Sequence, residues 1–286
     1  MRRFSQMAFA TVAVFALMLA ACSNGKAGGG NSPTSGGTSS ANVQPPADIA
    51  SAGKLIFCSD IAFPPMESYD TSHNAIGADI DIGNTVAQQM GVQAEFDETG
   101  FDGIIAAVLS GKCDAIISGM NDTPEREAQL GFVAYMESGS VFLVPTGNPL
   151  GIHEQLDVCG KTAAGQVGST NYDTVLQVSK DCVAAGKPPI DAVAFKEDPL
   201  GVTALMTGKI DAYETDAAPA TYYVSKNPSL EVGVDNINPL PVAIGLPKDN
   251  TELQTAIQQA IDAMYADGTM QQILDKWGLG QYALQQ

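Results

Sequence analysis

The sequence predicts an α/β protein of two lobes, each a mainly parallel sheet covered by helices. Three observations carry this. Strand and helix alternate from Lys54 to Ser118, and the alternation starts again from Lys161 to Glu214. An echo links the two units: Ala107-Val108-Leu109-Ser110-Gly111-Lys112-Cys113-Asp114-Ala115 parallels Ala204-Leu205-Met206-Thr207-Gly208-Lys209-Ile210-Asp211-Ala212. Two extended apolar runs, Ser140 to Pro145 and Pro241 to Pro247, follow the two units and suit a pair of hinge strands.

In the first unit Leu55 to Asp60 reads as a strand. Gly77 to Met90 reads as a helix with Ile80, Val86 and Met90 on one face. Val92 to Phe96 is the next strand. Phe101 to Ser110 is a helix, apolar at Ile104, Ile105, Val108 and Leu109, and Asp114 to Ser118 is a short strand. In the second unit the strands are Lys161 to Ala164, Ala192 to Phe195 and Ile210 to Glu214. Its helices are Thr170 to Ser179 and Pro199 to Thr207. Asn250 to Trp277 is helical and is expected to return to the first lobe. Lobe 1 is thus expected over 48–143 with 245–286, and lobe 2 over 144–244.

The N-terminal segment reads differently. Residues 1–21 form a secretory leader: Arg2 and Arg3, then an apolar run from Met7 to Ala21 that is short for a bilayer span. Leu19-Ala20-Ala21-Cys22 resembles the lipobox of bacterial lipoproteins, which implies cleavage before Cys22 and its acylation, palmitate included. Residues 22–47 are rich in Gly, Ser, Asn, Thr and Pro, so they read as a flexible tether with a reach of roughly 25–30 Å. The protein is expected on the outer face of the cell membrane, anchored rather than embedded.

The chain carries 14 Lys+Arg against 32 Asp+Glu, a net charge of −18 that becomes −20 without the leader. Such acidity argues against nucleic acid as a partner. Beyond Cys22 there are Cys58, Cys113, Cys159 and Cys182, in an oxidising compartment and with no zinc spacing. Cys159 precedes a strand and Cys182 ends the helix after it. That helix runs back antiparallel, so both lie at one edge and a bridge of roughly 3 kcal/mol is expected. Cys58 comes late in its strand and Cys113 at the start of another. Parallel strands would place them at opposite edges, so both are expected as free, buried thiols.

The chemistry centres on Ile117 to Arg126, which runs from a buried strand through a polar turn into a helix start. Thr123 suits an N-cap and Pro124 the first helical position. Arg126 then falls in the first turn, where the helix dipole disfavours a cation. It is also the only arginine outside the leader. A carboxylate docking there would explain the placement. Both units end a strand in polar residues, Ser118 to Asn121 and Glu214 to Asp216, at the edge where open α/β sheets bind ligands. A positive group in one lobe and a negative one in the other match the two ends of a free amino acid. His73 and His153 fall in loops and form no triad or metal cluster. Gly165-Gln166-Val167-Gly168-Ser169-Thr170 lacks the lysine of a phosphate loop, and no cofactor is expected.

Several segments are familiar in this order: Cys58-Ser59-Asp60-Ile61-Ala62-Phe63-Pro64-Pro65-Met66, Gly77-Ala78-Asp79-Ile80-Asp81-Ile82-Gly83, Gly119 to Arg126, and Ala266-Asp267-Gly268-Thr269-Met270. From Lys54 to Gly278 the chain resembles the extracellular solute-binding proteins, family 3, of ABC importers for polar amino acids. The resemblance implies a type II periplasmic-binding-protein-like fold, a monomer, and an importer permease as partner. It implies that Arg126 holds the ligand α-carboxylate, completed by the Asn121 N–H and the helix start at Ser169 and Thr170. Asp216 would face the α-ammonium, with the Gly119 carbonyl and the Asn121 side chain. Phe63 and Phe101 would sandwich the ligand side chain. Ser118 belongs to the same turn, and Met120 with Phe101 would allow an apolar stem. Asp60 would meet a basic or amide side chain. Asp79 and Asp81 are expected to cap the helix they precede. Gly119 and Asn121 stand where the family often has hydroxyl residues. Two other readings compete: a stand-alone amino-acid sensor, and a secreted cyclohexadienyl-type dehydratase. The second would cast Glu214 or Asp216 as acid or base with no second catalytic partner in sight, so no enzyme is expected.

Overall fold

The computed structural model describes residues 43–285. The leader, Cys22 and the tether up to residue 42 lie outside the described residues. In chain order the elements are α1 (Ala47–Ala52), β1 (Lys54–Ser59), β2 (Ser68–Tyr69), β3 (Ala75–Ile76), α2 (Ala78–Gln89), β4 (Gln93–Glu98), α3 (Ile104–Leu109), β5 (Ala115–Ile116) and α4 (Pro124–Glu127). They continue with β6 (Leu130–Pro145), β7 (Thr162–Gln166), α5 (Thr170–Ala184), β8 (Asp191–Phe195), α6 (Asp198–Met206) and β9 (Ala212–Asp216). The last are α7 (Ala217–Lys226), β10 (Leu230–Pro247), α8 (Thr251–Ala266) and α9 (Thr269–Lys276).

One continuous ladder runs β4-β1-β5-β10-β6-β9-β7-β8, and a small hairpin joins β2 to β3. The outer strands pair in parallel, β1 with β4 and β5, β7 with β8 and β9. The central pair, β6 and β10, is antiparallel and spans both halves. Four buried clusters show how the halves divide. Alternate residues of β1 point to opposite faces: Leu55 and Phe57 pack under α2, α8 and α9, whereas Ile56 and Cys58 pack against α3. In the other half α5 covers one face, and α6 and α7 cover the second. Along β6, side chains through Met136 belong to the first core and those from Val141 to the second. Along β10 the switch falls between Ile237 and Val242.

The echo has a structural cause. Gly111 and Gly208 both have positive φ (77° and 69°) and end α3 and α6, with Lys112 N–H returning to the Ala107 carbonyl and Lys209 N–H to Ala204. Asp114 then grips β1 at both backbone groups of one residue: its N–H donates to the Ile56 carbonyl and its carboxylate accepts from the Ile56 N–H. Asp211 repeats this on Thr162 of β7. The repeated Asp-Ala therefore sets the register in which each short strand joins its neighbour. It also delivers the residues that follow to the sheet edge.

That register corrects the expectation for two cysteines. Cys58 and Cys113 are joined as a disulfide, not free. β5 meets β1 only at the end of β1, pairing Ala115 with Phe57 and Ile116 with Cys58. Its start therefore lies beside the end of β1, not at the far edge. Cys159 and Cys182 form the second disulfide, as their strand–helix placement predicts. The first residues described also depart from the tether reading. Val43 is buried in the first core and its N–H donates to the Gln89 carbonyl, so the chain is docked before residue 47.

Other differences are local. The hinge runs are the ends of much longer strands. α7 is not legible because Pro219, Thr221 and two tyrosines mimic a turn or strand. Pro219 sits in its first turn, where no intrahelical N–H is needed. Among the described residues no helix is long and apolar enough to cross a membrane.

Candidate functional site

The C-terminal ends of β1, β5, β7 and β9 converge on one pocket. Asp60, Phe63, Phe101, Ser118, Gly119 and Asn121 line it from the first half; Gln166, Ser169, Thr170, Asn171 and Asp216 line it from the second. The inner pocket is nearly closed, at about 10 Å³. An open groove of about 730 Å³ continues from it past Asn121, Thr170, Asn171 and Asp216 to Arg126.

Arg126 is positioned by the capped turn that its sequence announces. The Thr123 hydroxyl accepts from the Arg126 N–H (3.3 Å), and Pro124 opens a helix only one turn long. A single turn has little dipole, so the cation meets less opposition than in a long helix. The guanidinium is buried, at 9% exposure. It donates to the carbonyls of Asn121 (2.8 Å) and Gly168 (3.2 Å) and lies 5.5 Å from the Phe101 ring centroid. Among the described residues no carboxylate stands within ion-pair distance of it. Burial pushes its pKa down, opposed by the charges of Asp216, Asp173 and Glu125. A guanidinium stays charged even so.

Asp216 ends β9 and precedes α7, but its side chain makes no cap to that helix. It is buried, and with the Asn171 amide nitrogen turned toward it, Asn171 donates to Asp216 (3.1 Å) and to Glu214 (2.8 Å). Burial, with the nearby Asp198 charge, raises its pKa to about 7; Asn171 and Arg126 act the other way. Across the pocket Asp60 accepts from the Gln166 amide (2.6 Å). Burial raises Asp60 to about 6, Gln166 opposes this, and the Glu197 charge adds to it. Two further hydrogen bonds span the cleft: Thr170 hydroxyl to the Asn121 side-chain carbonyl (2.7 Å), and Arg126 to Gly168.

Gly119 explains its own departure from a hydroxyl residue. Its φ is +52°, and a Cβ there would sit 2.7 Å from the Phe63 ring. Ser169 N-caps α5, its hydroxyl accepting from the Tyr172 N–H, which leaves the first N–H groups of α5 facing the pocket rim. Met120 is the exception among the expected residues. Its side chain is fully buried with Cys58, Ile104 and Ile116 in the α3-side core and does not line the pocket. The alternation of the chain turns Met120 away while Gly119 and Asn121 face the cleft. Asp79 and Asp81 do not cap α2 either; they lie inside its first turn. Asp79 accepts from the Gly119 N–H and the Tyr135 hydroxyl, and Asp81 from Lys276 and the Trp277 indole.

Two lining residues are missing from the sequence reading, Gln166 and Asn171. Both flank the Gly168-Ser169-Thr170 turn at a strand end, so the same edge rule that marks Ser118 to Asn121 applies to them. His73 stacks on Tyr69 and His153 lies in a loop, both away from the pocket. Among the described residues no group of three or more His, Cys, Asp or Glu could hold a metal ion.

A family model for bacterial extracellular solute-binding proteins, family 3, matches residues 55–281. The chain belongs to this family. The solute-binding protein is 27% identical over 235 residues to the putative ABC transporter arginine-binding protein 2 of Escherichia coli K12, covering 80% of this chain and 92% of that one. It is 28% identical over 231 residues to the L-cystine-binding protein TcyJ of the same organism, covering 80% and 84%. Among solved structures, an ancestral arginine-binding protein bound to arginine matches with a TM-score of 0.74 at 36% identity, over 79% of this chain and 98% of that one. An ancestral amino acid-binding protein described as a precursor of cyclohexadienyl dehydratase matches with the same TM-score at 27% identity, over 80% and 97%. The architecture is the type II periplasmic-binding-protein-like fold.

Proposed function

We propose that this solute-binding protein captures a free polar amino acid in the cleft and delivers it to an ABC importer. The α-carboxylate binds Arg126, with the N–H groups at the start of α5; the α-ammonium binds Asp216. The observation that carries this is a buried guanidinium with no carboxylate at ion-pair distance among the described residues, facing a buried carboxylate from the opposite half. One zwitterion answers both, and by bridging the halves it favours closure through differential affinity. The bending point is then 137–140 with 238–241, where β6 and β10 pass from one core to the other. Anchoring through Cys22, and residence on the outer membrane face, complete the proposal.

The side-chain end of the pocket favours a cation. Asp60 is buried, feels Glu197, and has no ion-pair partner among the described residues. Relatives named for arginine and cystine, and an ancestral protein bound to glutamine at 35% identity, support a choice among polar amino acids. L-Arginine is the first candidate. A thermal-shift screen of all common amino acids tests this: L-arginine should raise the melting temperature most, by mass action on the folded state. A response to no amino acid would overturn the proposal, and a response led by an amide or sulfur-containing ligand would move the specificity but keep the clamp.

A further inference from the structure

Beneath the pocket lies a buried acid pair that the clamp itself does not use. Glu67 and Asp79 are fully buried and hold adjacent residues of one turn, Glu67 accepting from the Ser118 hydroxyl and Asp79 from the Gly119 N–H. Two carboxyls buried this close are stable together when one of them keeps its proton, and burial with the neighbouring Asp79 charge raises Glu67 well above the ordinary carboxylate range. Their closeness follows from Gly77, whose φ of 142° opens α2. A Cβ at Gly77 would lie 2.0 Å from the Met66 carbonyl oxygen, so only glycine lets the 66–67 backbone lie against the helix start. The Asp79 N–H then donates to the Met66 carbonyl (2.9 Å).

The surroundings divide the two roles. Asp79 sits in the first turn of α2, where the helix dipole favours an anion. Its oxygens accept from the Gly119 N–H (2.7 Å) and the Tyr135 hydroxyl (2.7 Å). Glu67 accepts at one oxygen from the Ser118 hydroxyl (2.7 Å), and its other oxygen has no donor among the described residues. That orphan oxygen is where a proton belongs. Ser118 in turn accepts from the Asp60 N–H (2.9 Å). Two wall segments of the pocket, 59–60 and 118–119, thus hang from the same two acids.

We propose that Glu67 and Asp79 form a proton-sharing positioning pair, Glu67 as the neutral acid and Asp79 as the anion, that holds the Ser118-Gly119 turn in ligand-binding geometry. Neither touches the ligand. The consequence for binding rests on the function proposed above; the proton placement does not.

The pair predicts an asymmetry. Glu67→Gln keeps both contacts, because a glutamine amide donates to Asp79 and accepts from Ser118. Asp79→Asn does not, because its NH2 faces donors at Gly119 or Tyr135. Infrared difference spectra of the ligand-free protein at neutral pH should show the C=O stretch of a buried carboxylic acid in the wild type and its loss in E67Q. The Gly119 amide proton, read by NMR, should stay at its low-field position in E67Q and move up-field in D79N. Affinity for L-arginine, by calorimetry, should change less than about 3-fold in E67Q and fall by more than about 10-fold in folded D79N. Absence of the acid band, or its survival in E67Q, would overturn the pairing even if D79N failed to fold. An unmoved Gly119 amide in D79N would overturn the positioning role. If wild type binds no amino acid, the clamp reading falls, while the infrared and NMR arms still decide this one; if it ignores L-arginine alone, the strongest ligand of the screen takes its place in the calorimetry.

Discussion

At Arg126 the position is worth more than the residue type. A lone arginine in the first turn of a helix is ambiguous until its neighbours are known. The fold surrounds it with the Asn121 and Gly168 carbonyls and the Phe101 ring, yet among the described residues no carboxylate stands within ion-pair distance. Truncation to Arg126→Ala should therefore cost roughly 3–5 kcal/mol of ligand affinity, since the bound carboxylate would be buried without its cation. Calorimetry with the strongest ligand of the amino-acid screen measures this, and near-unchanged affinity would remove Arg126 from the clamp. Asp216 adds a pH dependence. Its pKa is about 7 in the ligand-free protein, and a bound ammonium needs the anion. Binding at about pH 6 should then release protons, and affinity should weaken as pH falls from about 8 to about 5. Calorimetry in buffers of different ionisation enthalpy reads the proton count, which Asp216→Asn should reduce. Gly119→Ala offers a steric test at the same scale. The added methyl enters the Phe63 ring and strains a φ of +52°, so binding should fall with most of the fold retained.

Among the elements, β5 shows how much depends on register. It contributes two residues to the ladder, yet Asp114 locks it onto the end of β1 and brings Cys113 against Cys58. The two disulfides close loops with sequence separations of 55 and 23. The chain-entropy relation assigns them roughly 4 and 3 kcal/mol. Replacing Cys58 and Cys113 together by serine should lower stability by about 4 kcal/mol in denaturant titration, against about 3 for the Cys159 and Cys182 pair. An equal or reversed order would mean that native packing, not loop closure, dominates. Strand periodicity and the Gly-Lys-x-Asp-Ala echo made the outer strands and most helices legible. α7 was hidden because Pro219 and its aromatic neighbours look like a break, and the length of β6 and β10 was hidden because pairing across two cores overrides weak local preference.

For the molecule as a whole the buried acids dominate the response to pH. Burial raises Asp60, Asp79 and Asp198 to about 6 and Asp216 to about 7, and pushes Glu67 and Glu214 well above the ordinary carboxylate range. Unfolded, these groups titrate near 4. Between about pH 4 and pH 7 the native state therefore binds more protons than the unfolded one, so stability falls as pH rises through that window. The excess negative charge of the chain acts in the same direction. The ligand-free protein should melt at a higher temperature near pH 5 than near pH 8, and Asp216→Asn should flatten the slope. A flat or inverted profile would mean that the exposed acids with lowered pKa, such as Asp97 and Asp157, outweigh the buried ones.

The sequence by itself determined the doubled strand–helix pattern, the polar strand ends, the odd arginine and the Cys159–Cys182 pairing. All are local periodicities, or spacings within one strand–helix unit. Only the tertiary structure decided which residues meet across the cleft, Gln166 on Asp60 and Thr170 on Asn121, and set Asn171 between Asp216 and Glu214 within the second half. It alone joined Cys58 to Cys113, turned Met120 into the core, and set Glu67 beside Asp79. Those outcomes depend on register between strands far apart in the chain and on the packing of backbone against glycine. Neither leaves a local mark in the order of residues.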